Sequence, residues 1–185
     1  MKREVKFIVV HCTQSPQEAD AESIKRNMAG QRPVFHGMVD QFGYFVRLLG
    51  YNHAANNACP ENELCYHLAY VGGLDRSGRP ADTRNPLQWH RLYEKIQELR
   101  RIFPQAIVVG ADFMYEEQSN RDKNPGFDVV QWLGLYATQT QYWQDYEEQE
   151  DGTWIYIGEP DEGLLLPLKV FSTKRAISSM SGLTS

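Results

Sequence analysis

The residues best suited to chemistry begin at the end of an apolar run near the N-terminus. The stretch 7–10 is apolar and leads straight into His11, Cys12 and Thr13. Such a run predicts a buried strand, and its polar end is where a central strand meets solvent. A histidine there is well placed to bind a metal ion or to move a proton. We therefore expect His11 to lie at a functional site if the rest of the chain supplies partners.

Possible partners for His11 are scattered along the chain. In one arrangement, His11, His53 and Asp112 converge on a metal ion with Cys12 or Cys59 nearby. Imidazole, carboxylate and thiolate are all zinc ligands. A catalytic dyad of Cys12 and His11 is disfavoured, because adjacent residues of a strand face opposite sides of the sheet.

The other histidines and cysteines have simpler interpretations. His67 falls inside a predicted strand and His90 early in a predicted helix, so both are interpreted as packing or surface residues. Cys59 and Cys65 could pair, but the chain's three cysteines do not make a disulfide framework. We expect free thiols.

Composition indicates an ordinary globular chain of one domain with a terminal extension. Of 185 residues, 42% are hydrophobic and 23% charged, and the net charge is −5. This charge does not suggest a nucleic-acid partner, and no apolar run has the ~18 residues of a membrane helix. The first residues do not follow a signal-peptide pattern. We expect cytoplasmic synthesis, with any access to the cell wall by another route.

Alternating strand and helix signals predict an α/β fold. Strands are predicted over 5–12, 34–39, 44–49, 66–71, 106–109 and 153–157, the second and third forming a hairpin around the turn 40–43. Asp20 or Ser23 can cap a short helix, and Asn85-Pro86 predicts the start of a long one. A further helix is predicted over 129–136.

The order of several motifs carries a family resemblance. A strand ending in His11-Cys12-Thr13 precedes a short helix, and Phe35-His36 opens a hairpin. The segment 71–86, VGGLDRSGRPADTRNP, then precedes the long helix and an apolar strand ending at Gly110. Over roughly residues 5–132 the chain resembles the zinc-dependent N-acetylmuramoyl-L-alanine amidases of the phage-lysozyme type. The segment 71–86 is the most specific part.

The resemblance implies an N-acetylmuramoyl-L-alanine amidase-like fold, with a central mixed β-sheet flanked by helices and a C-terminal extension. We expect the amidase-like domain to span residues 1–136. The extension, 137–185, is rich in aromatic residues and is expected to pack on that domain, with a mobile tail from about residue 172.

The family binds zinc through two histidines and a cysteine, and only the first of these is retained. The first ligand falls on His11, the second on Ala111 and the third on Asn124. An alanine methyl cannot bind zinc, and a neutral amide is a poor ligand beside a thiolate. The resemblance therefore implies no metal, with zinc only if the site is rearranged.

The family's assisting tyrosine and lysine are also changed. The tyrosine falls on Phe35 and the lysine on Asp122, with Lys123 next to it. Since neighbouring strand residues face opposite ways, Phe35 is placed towards the groove and His36 on the other side as a structural residue. His53 matches a groove histidine of the family.

The function implied is that of an amidase-like protein of peptidoglycan metabolism that has lost hydrolysis. It would bind a muropeptide, another peptidoglycan fragment or a protein partner, through a groove that includes His11, Phe35, His53, Ala111 and Asn124. One alternative is an active amidase, cutting between N-acetylmuramic acid and L-alanine, with a rearranged metal site. Another is a vestigial scaffold of a phage or mobile element.

Overall fold

The computed structural model describes residues 3–115, 124–139, 146–148 and 154–156. Along these ranges the strands are β1 (Phe7–Cys12), β2 (Ser15–Pro16), β3 (Gly37–Val39), β4 (Phe45–Arg47), β5 (Cys65–Tyr70), β6 (Gly73–Leu74), β7 (Ile107–Gly110), β8 (Tyr146–Glu148) and β9 (Trp154–Tyr156). The α-helices are α1 (Ala21–Asn27), α2 (Pro86–Ile102), α3 (Ala111–Met114) and α4 (Val129–Gln139), and a 3-10 turn covers Asn62–Leu64. No helix in these ranges is long and apolar enough to cross a membrane.

A five-stranded sheet with the order β4-β3-β5-β1-β7 forms the centre of the fold. Strands β3, β5, β1 and β7 run parallel, and β4 pairs antiparallel with β3. The predicted mixed sheet flanked by helices is thus confirmed. Ile8, Val9 and Val10 of β1 are fully buried, as expected for a strand with a neighbour on each side and both faces covered.

Helix α2 begins where the sequence predicts it. The Asn85 side chain accepts a hydrogen bond from Gln88 N, and the Gln88 side chain accepts one from Asn85 N, which is a capping box. Leu92, Ile96 and Leu99 form one fully buried helix face. Pro104 follows the helix, and a proline there cannot continue it.

Gln88 also ties α2 to the sheet. It is fully buried, and its Nε2 donates to Val71 O at 2.9 Å, immediately after β5, and more weakly to Val39 O at 3.4 Å. A buried amide needs such partners. The capping residue therefore also anchors the helix to two neighbouring strands.

The segment 71–86 makes several side-chain contacts that stabilise the loops of the fold. Gly73 N donates to Thr83 Oγ1, and Asp82 makes two hydrogen bonds with the Arg84 guanidinium. The Arg84 guanidinium lies over the Phe127 ring, 3.1 Å from its centroid. The segment that carries the resemblance most specifically is thus a network of loop contacts around β6 and the start of α2.

Residue contacts divide the chain into two units, Met1–Val129 and Val130–Ser185. The sheet belongs to the first unit, and the antiparallel pair β8–β9 to the second. The predicted domain boundary at residue 136 stays a prediction. The predicted mobile tail from residue 172 lies outside the described residues.

Candidate functional site

His11 lies near the carboxyl end of β1 and is almost completely enclosed, with 3% of its surface exposed. The centroid of its ring is 5.4 Å from that of Phe35. Phe35 is half-buried and packs against the apolar cluster that contains Met38 and Ala69. The structure therefore brings together His11 and Phe35, two residues that the resemblance places at the site.

The His11 ring is hydrogen-bonded to a second histidine. Its Nε2 lies 2.9 Å from Nδ1 of His67, and Nε2 of His67 lies 2.9 Å from Oδ1 of Asn62. The Asn62 amide is oriented by its Nδ2, which donates to Ala55 O at 2.7 Å. Asn62 Oδ1 must then accept from His67, so His67 carries its proton on Nε2 and accepts from His11 at Nδ1. This series of contacts assigns the Nε2-protonated tautomer to both neutral rings.

Burial keeps these rings neutral. Desolvation lowers the pKa of His11 to about 3 and, with the nearby His11, His36 and Arg3, lowers the pKa of His67 to about 2. A charged imidazole loses its hydration in such a place without gaining an anion to replace it. At neutral pH both rings are therefore uncharged hydrogen-bonding groups.

His36 is a structural residue in this arrangement. It is fully buried, its Nδ1 accepts from His67 N and its Nε2 donates to His53 O, both at 2.9 Å. The His36 ring thus substitutes for a backbone acceptor just before β3 begins. Burial lowers its pKa to about 4. Its contacts connect β5 to the irregular segment 50–64.

Two thiols and an imidazole form a compact cluster on the same face of the sheet. The donor atoms of Cys59, Cys65 and His67 all lie within 4.8 Å of one another, and all three residues are buried. Cys65 and His67 are two apart in β5 and so share a face, while Cys59 approaches from the irregular segment. The two Sγ atoms are 3.8 Å apart. Within the described residues, these are the side chains that could hold a metal ion.

Ala111 lies beside this cluster as a packing residue. It is fully buried and belongs to an apolar group with Val9, Val109, Cys59 and Cys65. The register of β1 with β7 pairs Val10 with Gly110, so Ala111 follows at the level of His11. Its methyl group offers no ligand atom at the position where the resemblance implies a histidine.

Asn124 is bonded to the backbone of β1. Its Oδ1 accepts from Cys12 N at 2.8 Å and its Nδ2 donates to Cys12 O at 3.4 Å. Thr13 N bonds to Tyr70 O on the β5 side, so Cys12 N points to the side of β7, which has already ended at Gly110. The Asn124 carboxamide therefore takes the place of a strand neighbour at the end of β1.

Comparisons with protein-family models and with curated protein sequences each gave no match. Solved structures do match. The endolysin of the Thermus scotoductus bacteriophage Ph2119 is 22% identical, with a TM-score of 0.54, over 71% of this chain and 83% of that one. The N-acetylmuramoyl-L-alanine amidase LysC of Clostridium intestinale is 17% identical, with a TM-score of 0.53, over 75% and 87%. Human PGRP-IBETAC, solved in complex with a glycosamyl muramyl pentapeptide, is 14% identical, with a TM-score of 0.54, over 75% and 85%.

The chain has the N-acetylmuramoyl-L-alanine amidase fold. At these identities the likeness concerns the fold, which the amidases share with the PGRP structure. The sequence prediction of an amidase-like chain is confirmed at that level.

Within the amidase-like fold, the remaining predicted site residues are spread out. His53 has an exposed side chain, and its contact with the site is made by its backbone oxygen on His36. Asp122 and Lys123 lie outside the described residues. The predicted grouping of His11, His53 and Asp112 is not the one that brings metal-binding atoms together in the described part of the chain, where Cys59, Cys65 and His67 do so.

The sequence does not predict the ring contacts of His67. The residue is fully buried in β5, as a packing residue would be, and its ring contacts both His11 and Asn62. One signal was available, because Cys65 and His67 have the i, i+2 spacing that puts two strand residues on one face. The contribution of Cys59 depends on the path of the segment 50–64, which has no regular pattern to read.

Proposed function

We propose that this chain is a non-hydrolytic amidase-like protein that binds a peptidoglycan fragment. The observation that carries the proposal is the state of the three positions where the resemblance implies zinc ligands. His11 is hydrogen-bonded to His67, Ala111 is an apolar packing residue, and Asn124 is bonded to the backbone of Cys12.

These three side chains do not fit a catalytic zinc ion. Zinc affinity comes from several ligands held together, and this set offers one imidazole and a neutral amide. The imidazole and the amide already have hydrogen-bond partners, and a metal ion would have to displace them. Hydrolysis by the family's zinc-bound water is therefore not expected here.

Ligand binding is supported by one of the solved structures that share this fold. The matching human PGRP structure is a complex with a glycosamyl muramyl pentapeptide, so the fold accommodates such a ligand in that protein. We expect this chain to use the same class of ligand, a sugar bearing a stem peptide. A protein partner in its place is the other binder consistent with the fold.

The second candidate function is an active amidase with a rearranged metal site. It is favoured by the cluster of Cys59, Cys65 and His67. A catalytic zinc keeps an open coordination position that substrate and water can reach, and these three residues are 5%, 0% and 0% exposed. Burial on this scale is typical of a structural site, so we rank this candidate lower.

The deciding experiment is calorimetric titration of the full chain with a disaccharide pentapeptide muropeptide. Mass spectrometry of the same mixture, with and without added Zn²⁺, tests for cleavage. We expect saturable binding and an intact ligand. Release of the free stem peptide would overturn the non-hydrolytic part, and absence of binding would favour the vestigial scaffold.

A pair of variants localises the binding. His53→Ala removes an exposed imidazole from the irregular segment that also carries Cys59 and Asn62, and we expect weaker muropeptide binding. His90→Ala removes a partly exposed imidazole from α2 and is the control, with unchanged binding. Equal affinities for the two variants would contradict the assignment of His53 to the groove.

A further inference from the structure

We infer that Cys59, Cys65 and His67 form a structural site for a thiophilic divalent cation such as zinc, separate from the positions where the resemblance implies catalytic zinc. The inference rests on the geometry of the three donors, on their burial and on the charge balance of the site. It is independent of the proposed function.

The separation of the two sulfur atoms fits a shared metal ion. With Zn–S bonds of about 2.3 Å, two thiolates on one tetrahedral ion lie about 3.8 Å apart. The Sγ atoms of Cys59 and Cys65 are 3.8 Å apart. A disulfide requires about 2.05 Å, so the sulfur atoms would have to approach substantially to form one.

The third donor distinguishes a metal site from a thiol pair. A ring nitrogen of His67 lies within 4.8 Å of both sulfur atoms. Two thiolates with an imidazole select zinc over the hard cations magnesium and calcium. Two thiolates also neutralise a divalent cation, which suits the apolar surroundings of Val9, Val109 and Ala111.

Backbone oxygens hold the loop around the two thiols. A divalent cation that binds both sulfur atoms as thiolates releases the two thiol protons. Pro60 O and Glu61 O, which accept from the Cys59 and Cys65 thiols, fix the loop around the pair.

Asn62 supplies a partner for the ring of His67. Its Oδ1 contacts His67 Nε2 at 2.9 Å, the kind of contact that orients a ligating histidine when the other nitrogen binds the metal. That other nitrogen, Nδ1, now accepts from His11 Nε2, so metal binding there displaces the His11 bond. If His67 binds through Nε2 instead, the metal displaces the contact with Asn62 Oδ1. In either case the 3-10 turn that contains Asn62 belongs to the site.

The test uses cobalt as a spectroscopic substitute for zinc in the reduced full chain. Metal-free protein is titrated with Co²⁺, and thiolate-to-cobalt charge-transfer absorption is followed in the near ultraviolet. We expect a band that saturates at about one Co²⁺ per chain and is lost on adding Zn²⁺. Elemental analysis of protein purified without a chelator should find about one zinc per chain.

The variants have a matched control within the chain. Cys59→Ser and Cys65→Ser should abolish the cobalt band, whereas Cys12→Ser removes a thiol that is equally buried but outside the cluster and should keep it. Since the first two variants can fail to fold, the wild-type titration decides by itself. A wild-type chain without the cobalt band, or one that is isolated metal-free with a Cys59–Cys65 disulfide, would overturn the inference.

Discussion

His11 and His67 are joined by a 2.9 Å hydrogen bond between Nε2 and Nδ1. The imidazole with the best position for chemistry is therefore held by a neighbouring strand. Because His67 is held in turn by Asn62, the order of donors and acceptors extends from β1 through β5 to the irregular segment. Protonation of His67 at Nδ1 would place two donors face to face.

Mildly acidic pH should therefore destabilise the fold. The folded-state pKa values of His11, His36 and His67 are about 3, 4 and 2, whereas an unfolded histidine titrates near 6.5. Between these values the unfolded chain binds more protons than the folded chain. The free energy of unfolding is therefore highest above about pH 6.5 and falls as the pH decreases below that value. Urea unfolding in the presence of a chelator, from about pH 7 to about pH 5, measures this slope.

Two variants check the origin of that slope. His11→Gln removes one of the three buried rings, and we expect a shallower dependence of the urea midpoint on pH. His53→Gln removes an exposed ring and should keep the wild-type slope. A midpoint that does not change between about pH 7 and about pH 5 would contradict the assignment of neutral, buried rings.

Asn124→Ala should destabilise the domain by about 1–3 kcal/mol, because Cys12 N loses the partner that Asn124 Oδ1 provides. Asn124→Asp keeps an acceptor for Cys12 N but loses the donor to Cys12 O, so its loss should be smaller. Chemical denaturation at neutral pH measures both. If the Ala and Asp variants lose the same free energy of unfolding, the hydrogen bond to Cys12 N is not the source of the stabilisation.

Gly73→Ala should be more damaging than Gly30→Ala. Both glycines have a positive φ, +99° and +82°, and an L residue there costs about 1–2 kcal/mol. A Cβ on Gly73 would also collide with the side chain of Cys12, whereas one on Gly30 meets nothing within 4 Å. Thermal unfolding of the two variants compares them, and equal losses would mean that the chain at Gly73 can move away from β1.

Asn85→Ala should cost about 0.5–2 kcal/mol through loss of the cap of α2. Asn85 has a second role, because its Nδ2 donates to Gln41 O in the hairpin turn at 2.7 Å. Asn85→Ser keeps a capping oxygen but loses that bond. The difference in the free energy of unfolding between the two variants, measured in urea, therefore separates the contribution of the cap from that of the contact with the turn. If the Ser variant is as unstable as the Ala variant, the loss comes from the contact with the turn.

The parts of the fold with local signals could be predicted from the sequence. Asn85-Pro86 and the apolar spacing of Leu92, Ile96 and Leu99 are sufficient to place α2, because caps and helix faces depend on near neighbours. The run before His11 is similarly sufficient for β1. The two-residue strands β2 and β6 were missed, since they are too short for any period to show.

The site depends on contacts that no local pattern contains. Asn124 and Cys12 are 112 residues apart, and the use of a carboxamide as a strand neighbour follows only from where β7 ends. His67 lies in a strand as expected, but its role depends on Asn62 and on Cys59, which reach it through an irregular segment.

The central position of β1 has a consequence for how the chain is made. β1 precedes both of its partners along the chain, and β5 and β7 begin at residues 65 and 107. During translation this apolar strand stays unpaired until both neighbouring strands have been synthesised. Parallel pairing over such sequence separations is slow. Until β7 and Asn124 emerge, the growing chain carries an incomplete sheet edge that can associate with other chains. Fragments that end before residue 107 should therefore be aggregation-prone.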